Sequence, residues 1–176
     1  MPQVTYYVAS SIDGFIAKAD GGVDWLSCVE VDGEDYGYAE FFGSVDGLIM
    51  GRTTFDQIQG FGRWPYEDKP CWVWTRHSID SKSPTAVATA KSPVDVVEEA
   101  SKQGLNHLWL VGGGRVAGAF EAGQLISTYI ISVIPILLGD GIPLISGCKL
   151  PCNLHLSESR SYKSGLVQLT YVPRRG

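Results

Sequence analysis

Three segments of this chain set glycines, hydroxyls and cations directly after a buried apolar run. The first is His107-Leu-Trp-Leu-Val-Gly-Gly-Gly-Arg-Val-Ala-Gly118. A strand that runs through glycines into a helix lets backbone approach a phosphate, with the free amides of the helix N-terminus facing the anion. The string also satisfies G-x-G-x-x-A from Gly112 to Ala117, although that fingerprint usually opens a domain. The plainer explanation is a tight strand-to-helix turn with no ligand. In the second segment, Leu48-Ile-Met-Gly-Arg-Thr-Thr-Phe55, Arg52, Thr53 and Thr54 follow Gly51 and bring a cation and two hydroxyls to a helix start. The third, Thr75-Arg76-His77-Ser78, follows another apolar run and offers a grip for a 2′-phosphate. Taken singly, Arg52 could merely pair with a surface acid and Thr75 could merely cap a strand. Together the three segments call for a polyanionic nucleotide.

A fourth feature is acidic. Residues 19–51 hold eight Asp or Glu and no Lys or Arg, a setting that favours keeping a proton on a partly buried carboxyl. Asp35, Ala39 and Phe42 are spaced i, i+4, i+7, so on a helix from Asp32 to Phe42 they share one face and the Asp35 carboxylate points inward. The alternative is an exposed acid that favours the dipole of the helix's first turn.

The elements that must hold these residues follow from periodicity and turn chemistry. Val4–Ser11, Gly47–Met50, Cys71–Thr75, His107–Val111 and the long run Tyr129–Leu138 read as strands. Thr53–Gln59, Val94–Gln103 and Val116–Ala122 read as helices, the middle one stopped by Gly104. Leu154–Ser159 and Val167–Val172 read as a closing hairpin, and Asp80–Pro93 as a surface connection. Strands alternating with short helices and finishing antiparallel predict an α/β protein with a mixed sheet.

Composition narrows the function. The chain has 176 residues, 44% of them apolar, which suits one compact domain rather than a disordered or coiled-coil protein. A net charge of −5 argues against a nucleic-acid partner, which would want a basic face. The run Tyr129–Leu138 is too short to span a bilayer, and the N-terminus lacks a basic segment followed by an apolar stretch, so a cytoplasmic protein without membrane association is expected. Cysteines stand at 28, 71, 148 and 152, and Cys148, Cys152 and His155 have the spacing C-x3-C-x2-H. A structural zinc normally takes four ligands and no second pair lies nearby in sequence, so reduced thiols and no metal are expected.

Ser-Ile-Asp-Gly-Phe-Ile at 11–16, Met-Gly-Arg-Thr-Thr-Phe at 50–55 and Gly-Gly-Gly-Arg-Val at 112–116 occur in the order and spacing of dihydrofolate-reductase-like proteins, which this chain resembles from Val4 to Val172. The run Tyr129–Leu138, leading into Gly139-Asp-Gly-Ile-Pro-Leu-Ile145, is more similar to the C-terminal reductase domain of RibD in riboflavin synthesis. The resemblance implies a three-layer fold with a central mixed sheet flanked by helices, and NADPH-dependent reduction of a small substrate. It implies that Ala9, Ile16 and Ala17 lie against the nicotinamide, and that Gly51, Arg52, Thr53 and Thr54 meet the adenosine phosphates. Thr75 and Arg76 would read the 2′-phosphate, while Gly112, Gly113, Gly114, Arg115 and Val116 would cradle the pyrophosphate. Trp25 matches the tryptophan that closes the dihydrofolate reductase site, Asp35 the acid on the substrate, and Ser132 the hydroxyl that partners this acid.

The substrates so implied are the 5-amino-6-(5-phosphoribosylamino)uracil of riboflavin synthesis or a reduced pterin such as dihydrofolate; a nucleotide binder without the reaction is the other class. The riboflavin reductases follow the Gly-x-x-Thr segment with a run similar to Asp-Asp-Pro-x-Leu-Thr-x-Arg, where this chain has Phe55-Asp-Gln-Ile-Gln-Gly-Phe-Gly-Arg-Trp-Pro-Tyr66. That aromatic stretch, with Trp64, is either a different substrate wall or an apolar loop over the core. Finally, Thr128–Ile145 is apolar on both alternating faces, which predicts either a homodimer covering the second face or a strand buried on both sides within one subunit.

Overall fold

The computed structural model describes residues 1–147 and 151–174. Its strands are β1 (Gln3–Ser11), β2 (Phe15–Ala17), β3 (Gly47–Gly51), β4 (Cys71–Trp74), β5 (Ala86–Thr89), β6 (His107–Gly112), β7 (Thr128–Ile134), β8 (Ile142–Pro143), β9 (Leu154–Ser161) and β10 (Val167–Pro173). The helices are α1 (Tyr38–Ser44), α2 (Arg52–Gly60), α3 (Pro93–Lys102) and α4 (Gly114–Ala122), with a 3-10 turn at Asp24–Val29. Eight strands form one sheet in the order β5-β4-β3-β6-β1-β7-β10-β9, and β2 pairs with β8 in a small ribbon. The pairs from β5 to β7 are parallel; β10 runs antiparallel to both β7 and β9. This is the α/β, dihydrofolate-reductase-like arrangement with a closing hairpin that the sequence predicts.

Local chemistry explains the best-matched elements. Ser92 and Asp95 close a capping box on α3 with Pro93 in its first turn, and Gly104 follows its end at φ +79°. All five residues of β3 are buried, as befits a parallel strand covered on both faces. On one face Val4, Tyr6, Leu108 and Leu110 pack beneath α3 and α4 through Val96, Val97, Ala117 and Phe120. On the other, Leu48, Met50, Val73 and Trp109 pack against Phe55, Ile58, Trp64 and Tyr66, with Phe41 and Phe42 of α1 at the margin.

Four expectations change. The helix placed at Asp32–Phe42 begins only at Tyr38, because Gly33 and Gly37 at φ +79° and Tyr36 at φ +56° turn the preceding chain out of helical conformation. The strand placed at Tyr129–Leu138 ends at Ile134, because Pro135 has no N–H to offer the ladder, and the Ile136 amide turns back to the Ile134 carbonyl at 2.7 Å. Within Asp80–Pro93, Ala86–Thr89 forms the edge strand β5 rather than open connection. Strands β2 and β8 also add a ribbon that the sequence reading left out.

β7 lies inside the sheet between β1 and β10, with Tyr129, Ile131, Ser132 and Ile134 buried. Apolar surface stays open on half-buried β10, at Leu156 of β9, 45% exposed, and at Leu137 within the 128–145 run, 69% exposed. No helix among the described residues is long and apolar enough to cross a membrane. Cys71 is a free buried thiol, pushed up to about 12 by desolvation, Cys28 is free and exposed, and Cys152 is exposed. Cys148, the first member of the C-x3-C-x2-H spacing, lies outside the described residues.

Candidate active site

Parallel strands place their carboxyl ends along one edge of the sheet, and the crevice outside that edge is where open α/β sheets bind ligands. Here the edge carries, in neighbouring order, Thr75 after β4, Arg52 after β3 and Gly113 after β6. Both α2 and α4 start there with a glycine cap and no side-chain bond to their first amides. Their N-termini are adjacent: the Thr54 side chain lies against Gly112 and Gly113, and Gly51 lies against Val116. Gly113 stands at φ +97°, a conformation L side chains rarely adopt, and a Cβ at Gly112 would meet only the Thr54 side chain, at 3.8 Å. Arg76 and Arg115 are exposed and make no ion pair among the described residues.

Two predicted phosphate contacts are partly committed elsewhere. Arg52 forks its Nε onto the Asp56 carboxylate at 2.7 and 2.8 Å and gives a terminal nitrogen to the Ser78 carbonyl at 2.9 Å. That tie fixes the 75–78 turn beside α2, which makes Arg52 a brace for the turn. Gly114 faces the protein's own backbone: a Cβ there would stand 2.2 Å from the Pro143 carbonyl. The Ser146 amide in turn donates to the Gly114 carbonyl at 2.9 Å. The third glycine of the run therefore accommodates the 142–147 strap, and half-buried Gly113 is the more accessible glycine of the turn.

Next to this edge lies a cavity of about 900 Å³. Ala9 and Ser132 face each other across the β1–β7 ladder in its wall, joined by Tyr7, Leu26, Tyr36 and Asp35. Ala9, Ser132 and Asp35 line one cavity, but Ser132 bonds Gln168 at 3.2 Å and Asp35 binds backbone amides, so the two are not partnered. Ile16 and Ala17 sit on the β2–β8 ribbon beyond the end of β1. Glu30, Asp32, Glu34 and Asp35 rim the cavity, and among the described residues its lining holds no Lys, Arg or His. Trp25 lies behind the wall, 5% exposed among Val29, Ile134 and Leu166, with its Nε1 donating to the Gly22 carbonyl at 3.3 Å.

Asp35 does not project from a helix face. It stands ahead of α1 and accepts the Gly37 amide on Oδ1 and the Ala39 amide on Oδ2, both at 2.9 Å. These bonds, that from Ala39 foremost, hold its carboxyl below the ordinary 3.8, so it is an exposed, charged helix-end acid. The depressed value has a definite sign. The capping contribution is present above the unfolded-state value and is lost as pH falls through the lower folded-state value. A carboxyl carbon NMR titration should place Asp35 below 3.8, with the amides of Gly37 and Ala39 shifting in step. Asp35→Ala should abolish that coupled acid transition.

Trp64 belongs to neither wall. It is buried against Phe55 and Tyr66, at ring-centroid distances of 5.6 and 5.2 Å, and it borders a separate opening lined by Gly62, Arg63, Glu67, Asp68, Lys82 and Pro84. Sequence reasoning missed two residues of the cavity's polar network, Tyr7 and Gln168. Tyr7 was within reach, because strand periodicity puts it on the face of Ala9. Gln168 was not, since it meets Ser132 only through the β10–β7 register.

Residues 2–168 match the RibD C-terminal domain family. The chain is 36% identical over 168 residues to YwjB of Bacillus subtilis (strain 168), a protein of uncharacterised activity, covering 94% of this chain and 95% of the relative. Among solved structures, a putative riboflavin biosynthesis protein from Shewanella sp. PV-4 superposes with a TM-score of 0.88 at 31% identity, over 99% of this chain and 100% of that one. The diaminohydroxyphosphoribosylaminopyrimidine deaminase/5-amino-6-(5-phosphoribosylamino)uracil reductase of Thermotoga maritima shares the fold, with a TM-score of 0.77 at 14% identity, over 98% of this chain and 56% of that one.

Proposed function

The chain belongs to the RibD C-terminal domain family, and from that premise we propose that it is a reductase that takes hydride from NADPH to a small heterocyclic or carbonyl substrate. The observation that carries this reading is the pair of uncapped helix N-termini, α2 and α4, set side by side at the carboxyl edge and next to the cavity of Ala9 and Ser132. Free amides there, with the Thr53 and Thr54 hydroxyls and the unpaired Arg115, suit a pyrophosphate. Thr75 and Arg76 suit the 2′-phosphate, and Ala9 leaves room for the nicotinamide at the cavity floor. Bound in this way, NADPH supplies the hydride; the chain supplies orientation, a walled cavity and the proton.

The charge of the cavity bears on the substrate. Four carboxylates at the rim and no cation in the lining favour an uncharged or cationic heterocycle over one that presents a phosphate to this wall. This favours a pterin-like or dephosphorylated pyrimidine acceptor over 5-amino-6-(5-phosphoribosylamino)uracil itself. A nucleotide binder that has lost the reaction is the competing class.

Titration of NADPH and NADH by quenching of intrinsic fluorescence, followed by a screen for loss of NADPH absorbance with candidate heterocycles, tests the proposal. NADPH should bind more tightly than NADH. Arg76→Ala should weaken NADPH about tenfold, equivalent to about 1.4 kcal/mol, and leave NADH within about a factor of two. Equal binding of both cofactors by the unmodified chain would overturn the 2′-phosphate site.

A further inference from the structure

We propose that the phenol of Tyr7 is the proton donor of this site, positioned by Gln168; the proposal rests on the reductase reading above. Tyr7 precedes Ala9 by two residues on β1, so its side chain emerges on the same face, into the cavity that Ser132 and Tyr36 also line. Gln168 Nε2 reaches three oxygens there: Tyr7 Oη at 3.1 Å, and Ser132 Oγ and the Tyr36 carbonyl at 3.2 Å each. A carbonyl can only accept, so Tyr36 fixes which end of the Gln168 amide points at the group. The amide has two protons, so one serves the Tyr36 carbonyl and the other is shared by the phenol and Ser132 oxygens.

Ser132 Oγ shares the second amide proton with Tyr7 Oη, and its rotatable hydroxyl stands ready to turn toward the phenolate that donation leaves. With the amide at its oxygen, the Tyr7 O–H points to an acceptor in the cavity. Tyr36 delivers its carbonyl from a left-handed conformation, φ +56°, which is uncommon for an aromatic residue. Its own hydroxyl pins it there by donating to the Val29 carbonyl and bonding Ser164. Backbone strain maintained beside a cavity is the kind that functional sites retain.

The electrostatics fit a donor. Burial raises the Tyr7 phenol above its ordinary value, and the facing Tyr162 and Asp35 add to the rise, so the proton is in place at neutral pH. Ser132 and Gln168 act the other way, because their bonds favour the phenolate left after donation. Tyr38 is the remaining ionisable group that feels Tyr7. Asp35 cannot serve, since both its oxygens accept backbone amides and its proton is absent at neutral pH. In the step, the acceptor's C=N or C=O carbon takes the hydride of NADPH while its heteroatom takes the Tyr7 proton. One π bond is consumed, one C–H and one heteroatom–H bond form, NADP⁺ leaves, and solvent returns a proton to the phenolate.

Tyr7→Phe keeps the ring against Phe41 and removes only the hydroxyl. With dihydrofolate and 5-amino-6-(5-phosphoribosylamino)uracil as probes, kcat should fall about 100-fold or more, within the range of general acid catalysis. NADPH affinity should stay within about twofold of the unmodified chain. In the protein without cofactor, ultraviolet difference titration should assign a late-ionising phenol to Tyr7 by its loss in Tyr7→Phe, and Gln168→Leu should move that phenol further up. An unmodified chain that fails to bind NADPH overturns the reductase reading and the donor role together. NADPH binding with reduction of neither probe overturns both as well; if a probe is reduced, the donor role alone is overturned by Tyr7→Phe turnover within about threefold, or by a phenol titration that Gln168→Leu leaves unmoved.

Discussion

Trp64→Ala should lower stability by about 4 kcal/mol, the usual loss for truncating a buried tryptophan. For a chain of this size that corresponds to a fall in Tm of roughly 10 °C. The indole is only 8% exposed, and it stands at one end of a run of aromatic contacts. Trp64 meets Tyr66 edge-on, Tyr66 meets Trp109 at 5.4 Å, Trp109 meets Phe41 at 5.4 Å, and Phe41 meets Tyr7 at 4.6 Å. Such edge-to-face pairs contribute beyond the area they bury. The Trp64 Nε1 is buried with no hydrogen-bond partner, so Trp64→Phe removes a donor that contributes nothing and should stay near the unmodified Tm. Thermal melts of both variants, with NADPH titrations of the folded fractions, separate packing from binding. An unchanged Tm in Trp64→Ala with weakened substrate binding would restore Trp64 to a substrate wall.

Gly118→Ala should cost about 3 kcal/mol although it adds a single methyl group to a helix, where alanine is ordinarily the better residue. The added Cβ would stand 1.7 Å from the Ser146 carbonyl oxygen, a backbone atom that cannot rotate aside. Gly118 and Gly114 lie one helical turn apart on α4, and together they admit the 142–147 strap against the helix. The strap is anchored independently: the Tyr6 hydroxyl donates to the Leu144 carbonyl at 2.6 Å, and the Leu144 amide donates to the Gly14 carbonyl at 2.9 Å. Alanine must therefore displace either the helix or the strap, and both adjoin the anion-binding turn. Denaturant unfolding should show the loss, with weaker NADPH binding in the folded fraction. A variant as stable as the unmodified chain would show that the strap is free to move.

The strand-to-helix junctions were legible because parallel strands are continuous apolar runs and glycines mark where each run stops. The capping box at Ser92 made α3 equally plain. Asp35 was misread because an acid-rich segment imitates the first turn of a helix, whereas Gly33 and Gly37 on either side already signalled a broken path. The glycine run at 112–114 pointed to the right edge of the sheet, yet one member answers to Pro143, a contact that spacing cannot reveal. The apolar run behind the expected two-fold pair was legible, but which of its residues stay open was not: β7 lies inside the sheet, and open apolar side chains stand on β10 and at Leu137 and Leu156. Gln168 and the strap depend on register between distant strands, which no local pattern encodes.

The interior place of β1 has a consequence for how the molecule is made. β1 precedes the other strands in the chain, yet its neighbours are β6 and β7, paired from Gln3 to His107 and from Thr5 to Thr128. During synthesis β3, β4 and α2 can assemble early, while β1, with Val4 and Tyr6 destined for the core, waits for both partners. Closing pairings of such sequence separation slows folding and exposes unpaired strand edges meanwhile. β1 is thus locked only after β6 and β7 have emerged, and its unpaired edges stay available to wrong partners until then.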